Sequence, residues 1–357
     1  MSGQGMGGGS GMAFLQKAWP VLVLVIPLLA AVALADLYGS VLLKRTMTDA
    51  LIKVVIVVGL YIFIGNTGIV SFGHIGFAGI AAYFTTWMTC CPMMKPITMT
   101  GLPEFLRLET YSVWTSALVS IGAAGLAALL IGLVLMRLSG LAAAISTLAA
   151  LFVFNAVYAN WDSVTMGRAS IVGIPTFVTL WVGLGAAVLV ILVAYLYQMS
   201  PWGLAARAAR DDEVAAQAAG ISLYWNRLIA FVISGLVVGT GGVLQVHFMG
   251  TISVNAFYLN LTFITLAMLV VGGMRSLAGA VVGVVVVTSI ADIFRRLEAG
   301  VDLAGVSLST PTGTQEMFLA GLMLLILIFR KDGLMGRREP RLPRLLARRA
   351  DTRAAGR

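Results

Sequence analysis

Only two histidines occur in the 357 residues, and one of them, His74, follows Ser71 by three positions in the run NTGIVSFGHIGFAGIAAY (Asn66–Tyr83). No nucleophile motif and no metal-ligand spacing accompanies this pair, so the chemistry open to it is binding rather than bond-making. Ionisable groups inside apolar segments are rare and as a rule face a cavity or a partner. His74 is therefore read as lining a pathway, against the plainer alternative of a hydrogen-bonded residue within a helix bundle. Gly68, Gly73, Gly76 and Gly79 surround the pair. Small residues three or four apart let helices approach closely, and interrupted helices can present backbone groups to a zwitterionic solute; packing alone accounts for the glycines equally well. Ser146 and Thr147, in SGLAAAISTLAAL (Ser139–Leu151), form a second polar pair. They either meet a solute across the bundle or bond their own helix carbonyls four residues back. The expected pathway set is thus Ser71, Gly73, His74, Ser146 and Thr147. The other histidine, His247, is expected at a membrane interface.

The elements that must position these residues are set by composition. Hydrophobic residues make up 59% of the chain and charged residues 11%, with a mean hydropathy of +0.97. A soluble domain carries about 25% charged residues, so lipid is the solvent here. Apolar runs of membrane length fall at 19–36, 48–65, 71–89, 113–136, 140–160, 176–198, 226–249, 256–273, 276–294 and 313–330, ten in all. A Gly-rich N-terminus (1–18) precedes them and a basic tail (331–357) follows. Net charge is +9, and ten Lys or Arg lie between Arg330 and Arg357 against Asp332, Glu339 and Asp351. That stretch therefore carries +7 and reads as an anchor to anionic headgroups rather than to nucleic acid. Its charge also sets the orientation, both termini cytoplasmic. On the outer side Arg295 and Arg296 oppose the charge rule, with Asp292 and Glu298 placed to offset them. Cys90 and Cys91 are adjacent, too few for a disulfide framework, and are expected as free thiols at a helix end.

Between the apolar runs stands SPWGLAARAARDDEVAAQAAGIS (Ser200–Ser222). Ser200 can cap a helix, Pro201 suits its first turn and Gly220 its end. Asp211, Asp212 and Glu213 then lie mid-helix, and Arg207 and Asp211 are spaced for an i,i+4 pair. Connections need two to eight residues, so a capped, alanine-rich helix in the 199–225 region is built to be touched. An interfacial helix lying on lipid would carry more large apolar residues and more Lys and Arg.

This segment, followed by RLIAFVISGLVVGTGGVLQVHFMGTIS, resembles the cytoplasmic coupling region of the branched-chain amino-acid ABC-transporter permease family (LivH/LivM), nearer the LivM type. Asn66–Tyr83, NWDSVTMGRASIVGIP (Asn160–Pro175), LAMLVVGGMRSLAGAVVG (Leu266–Gly283) and LIFRKDGLMGR (Leu327–Arg337) agree with it in order, over roughly residues 50–337. Two features depart from the pattern. General ABC permeases carry E-A-A-x-x-x-G, whereas here Val214-Ala215-Ala216 precede Gly220 and Glu213 stands one place early. The external stretch Cys90–Leu108 has no placed counterpart.

The resemblance implies an all-α polytopic protein of the bacterial inner membrane, with about ten transmembrane helices and a cytoplasmic coupling helix. It implies a second homologous permease subunit, two cytoplasmic ATPases that hold the ATP, a periplasmic binding protein and no cofactor or catalysis in this chain. Gly203, Arg207, Arg210, Asp212, Glu213, Ala215, Ala216 and Gly220 are the residues expected at the ATPase coupling. Trp161, Asp162 and Arg168 suit a turn that docks the binding protein, or a rigid external loop. No Walker A sequence is present. The expected cargo is branched-chain or similar amino acids; urea, a short amide or another small polar solute is the alternative within the family. A self-powered carrier would call for embedded carboxylates, which the apolar runs lack almost entirely.

Overall fold

Lipid offers no partner for a free backbone N–H or C=O, so apolar runs of membrane length close their hydrogen bonds internally as helices. The computed structural model describes residues 8–298, 301–303, 306–308, 311, 314–330 and 332–336. Its helices are α1 (Gly8–Tyr38), α2 (Val41–Thr67), α3 (His74–Thr89), the short α4 (Lys95–Thr98) and α5 (Glu104–Leu108), α6 (Val113–Leu135), α7 (Gly140–Ala159) and the one-turn α8 (Asp162–Thr165). There follow α9 (Leu180–Met199), α10 (Pro201–Asp211), α11 (Glu213–Ala218), α12 (Leu223–Met249), α13 (Leu259–Gly272), α14 (Leu277–Glu298) and α15 (Thr314–Phe329). Strand β1 (Ile171–Val172) pairs antiparallel with β2 (Thr251–Ile252), and β3 (Val301–Leu303) with β4 (Val306–Leu308).

Each of the ten expected spans coincides with a helix. Among the described residues eight helices are long and apolar enough to cross a bilayer. The remaining two, α3 and α15, have 16 residues each; at about 1.5 Å per residue that is about 24 Å, short of a hydrocarbon core of about 30 Å. Most of the basic tail lies outside the described residues.

The centre of the bundle is α12, which packs against α2, α3 and α6, while α9 and the α13–α14 pair flank α2. Burial separates centre from rim: 78% of the α2 span and 67% of the α12 span is buried, against 22% of α1 and 28% of α6 and of α7. Glycine makes the central contacts possible. A Cβ on Gly242 of α12 would lie 2.0 Å from the Ala78 carbonyl oxygen of α3, and one on Gly272 of α13 would lie 1.9 Å from that of Gly279 in α14. Backbones this close gain dispersion and weak C–H···O contacts that larger residues would forbid. The C-terminal stretch returns to the same place. Leu334 N–H donates to Val271 O (2.9 Å) and Met335 N–H to Gly272 O (3.0 Å), which joins the late glycine turn to the ending that follows α15.

One expectation is corrected at the end of α3. Cys90 and Cys91 are not free thiols; their sulfurs are bonded to one another at the end of α3, beside the Val172 carbonyl. His247, in the last turn of α12, is fully buried within the protein: Nδ1 meets Pro175 O at 2.8 Å and Nε2 meets Thr85 Oγ1 at 3.0 Å, stapling the segment between β1 and α9 to α3. Arg295 is offset as expected, paired with Asp292 at 2.5 Å.

Candidate functional site

Helix α2 stops at Thr67 and α3 starts at His74, leaving six non-helical residues inside the bundle. Gly68 ends α2 in the left-handed region (φ +75°), where its N–H still reaches Ile64 O at 2.9 Å. Only glycine takes that conformation without strain. The chain then crosses to α7, where Phe72 N–H donates to Thr147 Oγ1 at 3.2 Å. Thr147 Oγ–H in turn donates to Ala144 O, one turn back, at 2.8 Å. Gly73 is pressed to the same helix, since a Cβ there would stand 2.4 Å from Thr147 O. The structure thus brings Ser71, Gly73, His74 and Thr147 together, with Thr147 bonding both its own helix and the break. Ser146, one residue round α7, is half-buried.

His74 and Ser71 are both buried and hydrogen-bonded, Nδ1 to Oγ at 2.6 Å. The imidazole lies in a box of aromatic rings, with centroids at 4.8 Å for Phe231, 5.2 Å for Phe63 and 5.8 Å for Phe77. Its Nε2 has no hydrogen-bond partner among the described residues. Beside the box runs a crevice of about 20 Å³ lined by Gly73, Gly76, Phe77, Thr147, Phe154 and Phe231. A water needs roughly 10–15 Å³ of such space, so the crevice has room for about one water and not for an amino acid. In this conformation the site is shut, and the box was not legible from residue types, since Phe63 and Phe231 belong to helices far apart in sequence.

The polar segment is two helices rather than one. Ser200 caps α10, accepting from Gly203 N–H at 3.2 Å, and Pro201 opens it as expected. At Asp212 the backbone turns extended (φ −154°, ψ 107°), and its Oδ1 accepts from Val214 N–H at 2.9 Å and Ala215 N–H at 3.0 Å to cap α11. Asp212 therefore caps a helix start instead of lying mid-helix. Gly220 closes α11 with φ +82°. Gly203 lets α10 fold back sharply on α9, because a Cβ there would meet Tyr197 O at 2.2 Å.

Of the charged residues expected at the coupling, Arg207 and Arg210 are half-buried against the bundle, while Asp211, Asp212 and Glu213 are exposed. Arg207 donates to Gln198 O at 2.9 Å in place of pairing with Asp211. Asp211 pairs instead with Arg210 (3.2 Å), and Arg210 Nη1 also donates to Gly65 O, at the end of α2, at 2.5 Å. Glu213 forms an ion pair with Arg227 of α12, a residue sequence reasoning did not single out. Gly203, Ala206, Ala209 and Ala216 are buried, whereas Trp202, Leu204 and Val214 are exposed and Ala215 lies outward with them. Between this region and the α6–α7 turn opens a groove of about 740 Å³ lined by residues that include Arg137, Ser139, Glu213, Gln217, Tyr224 and Arg227.

At the opposite end, Trp161 and Asp162 open α8, and Trp161, Asp162 and Arg168 are exposed together. Trp87 Nε1–H holds the loop from below by donating to Val164 O at 3.0 Å. Lys95 pins the neighbouring region, 90–112. It is fully buried, with Nζ donating to Trp87 O (2.9 Å), Leu106 O (2.8 Å) and Glu109 O (2.8 Å). Burial pushes its pKa below the ordinary lysine value. No signal in the sequence marks this lysine, since its acceptors are all main-chain.

A family model described as "Branched-chain amino acid transport system / permease component" matches residues 42–327. Among curated proteins, the chain is 25% identical over 329 residues to "High-affinity branched-chain amino acid transport system permease protein LivM" of Escherichia coli (strain K12), covering 83% of this chain and 70% of that protein. It is 26% identical over 321 residues to the LivM of Salmonella typhimurium (strain LT2), with 83% and 70% covered. To "Probable branched-chain amino acid transport permease protein LivH" of Methanocaldococcus jannaschii it is 24% identical over 262 residues, with 70% and 79% covered. No solved structure matches. With most of its length matched, the chain belongs to this permease family.

Proposed function

We propose that this member of the family is one permease subunit of an inner-membrane importer for branched-chain or similar amino acids, driven by separate ATPase subunits. The observation that carries the reading is the pair α10–α11: capped at Ser200 and Asp212, bound to the bundle by Arg207, Arg210 and Glu213, and presenting Trp202, Leu204 and Val214 outward. A segment tied to the bundle on its inner face, with Trp202, Leu204 and Val214 exposed beside Asp211, Asp212 and Glu213 on its outer face, is suited to receive force from a partner. ATP would be bound and hydrolysed on that partner, two copies of it, and a second homologous permease would complete the pathway. Trp161, Asp162 and Arg168 form the face offered to a periplasmic binding protein, with both termini on the cytoplasmic side.

The mechanism follows from the closed site. The α2–α3 break, with Ser71, Gly73, His74 and Thr147, blocks the bundle in this conformation. Movement of α10–α11 would shift the cytoplasmic end of α2 and open the crevice to a zwitterion, whose charged ends the break's backbone groups and the free Nε2 of His74 can meet. Purification of the tagged chain in mild detergent from its native membrane, with mass spectrometry of what stays bound, tests this. An ATPase and a related permease in near-equal amounts, with ATP-dependent leucine uptake on reconstitution, is the expected result. Recovery of the chain alone, taking up solute without ATP, would refute it.

A further inference from the structure

A helix end leaves its last carbonyls without intrahelical partners, and the macrodipole makes that end attractive to cations. At the end of α2 the carbonyl of Gly65 is such a group, and the cation that meets it comes from another element. Arg210 Nη1 of α10 donates to Gly65 O at 2.5 Å across a separation of 145 residues. The rest of the side chain is placed as closely: a Cβ on Gly68 would stand 2.6 Å from Arg210 Cγ, so the aliphatic stem lies directly on the glycine that starts the break. The guanidinium is steered from its other edge by Asp211 at 3.2 Å. Three residues beyond Gly68 stands Ser71, and Phe72 is already tied to Thr147 of α7. A continuous set of contacts therefore runs from α10 through Arg210 to the C-terminal end of α2, and on through the break to α7.

We propose that Arg210 is the positioning residue through which α10 grips the end of α2 and carries its movement to the break at 68–73. This role, assigned from its contacts within the chain, rests on the coupling reading given above. A planar guanidinium can hold a carbonyl with one edge and a carboxylate with another, which a lysine ammonium on a flexible stem does less well. Other contacts hold α10 to the bundle, among them Arg207 to Gln198 O and the packing of Ala206 and Ala209, so the helix stays docked when Arg210 is removed while its purchase on α2 is lost.

The test uses the whole transporter, with its ATPases and second permease, in proteoliposomes, comparing wild type with Arg210→Ala, Arg210→Lys and Gly68→Ala. Bound ATPase, ATP hydrolysis and leucine uptake are read separately. The expected result for Arg210→Ala is ATPase retained and hydrolysis within about twofold of wild type, while uptake falls at least about tenfold. Arg210→Lys recovers part of the uptake, and Gly68→Ala, which displaces the stem, behaves like Arg210→Ala. Uptake at the wild-type rate in Arg210→Ala would overturn the proposal. Loss of assembly, hydrolysis and uptake together, with no recovery by lysine, would overturn it too and make Arg210 a folding brace. A wild-type preparation that holds no ATPase would instead bring down the coupling reading itself.

Discussion

The same chemical change, Gly→Ala, is predicted to act with opposite sign at two helical positions. At Gly242 the added methyl carbon would meet the Ala78 carbonyl at 2.0 Å from oxygen and 2.6 Å from carbon, both main-chain atoms that cannot swing aside. Real Cβ contacts stop near 3.0 Å, so α12 and α3 must part by about 1.0 Å. Alanine improves helix propensity by up to about 1 kcal/mol over glycine, while overpacking a tight interface costs about 1–3 kcal/mol and more against backbone. The net is a loss of about 1–2 kcal/mol, and it falls on the interface where Phe77 of α3 and Phe231 of α12 enclose His74. At Gly185 of α9 nothing lies within 4 Å of the added carbon, so only the propensity gain remains. Thermal unfolding of the detergent-purified chain, followed by size-exclusion after heating, should show a midpoint lowered by several degrees for Gly242→Ala and unchanged or raised for Gly185→Ala. Equal midpoints for the two variants would refute the close-approach argument.

Lys95→Met should leave the carbonyls of Trp87, Leu106 and Glu109 without their donor, and limited proteolysis should then cut within 90–112 faster than in wild type. The pH dependence has a definite sign. Burial lowers the Lys95 pKa below 10.5, so the unfolded chain holds this proton to higher pH than the folded one. Stability rises with pH between the lowered value and 10.5, and Lys95→Met should remove that component from a pH series of unfolding midpoints. Glu213→Gln strips Arg227, 8% exposed, of its anion and should lower stability by about 1–2 kcal/mol; a double-mutant cycle with Arg227→Gln should show that most of this is shared.

The comparison of residue patterns with coordinates separates two kinds of information. The amino-acid sequence by itself determined which segments are helical, because lipid forces every apolar run to satisfy its backbone internally. It also determined the caps at Ser200, Pro201 and Gly220, whose requirements are met by neighbours within three residues, and it marked the glycine-rich stretches at 66–83 and 266–283. Even locally it was incomplete: Asp212 can sit within a helix or cap a new one, and the choice went to the cap because α11 turns toward Arg227. Tertiary structure alone decided where the arginines of α10 point, since the acceptor for Arg210 is a main-chain carbonyl 145 residues away. The same holds for the three carbonyls around Lys95, the staple made by His247 and the aromatic box at His74. Each depends on partners brought together by packing. Backbone carbonyls look alike at every position of a sequence, and only the approach of one helix to another selects which of them becomes a site.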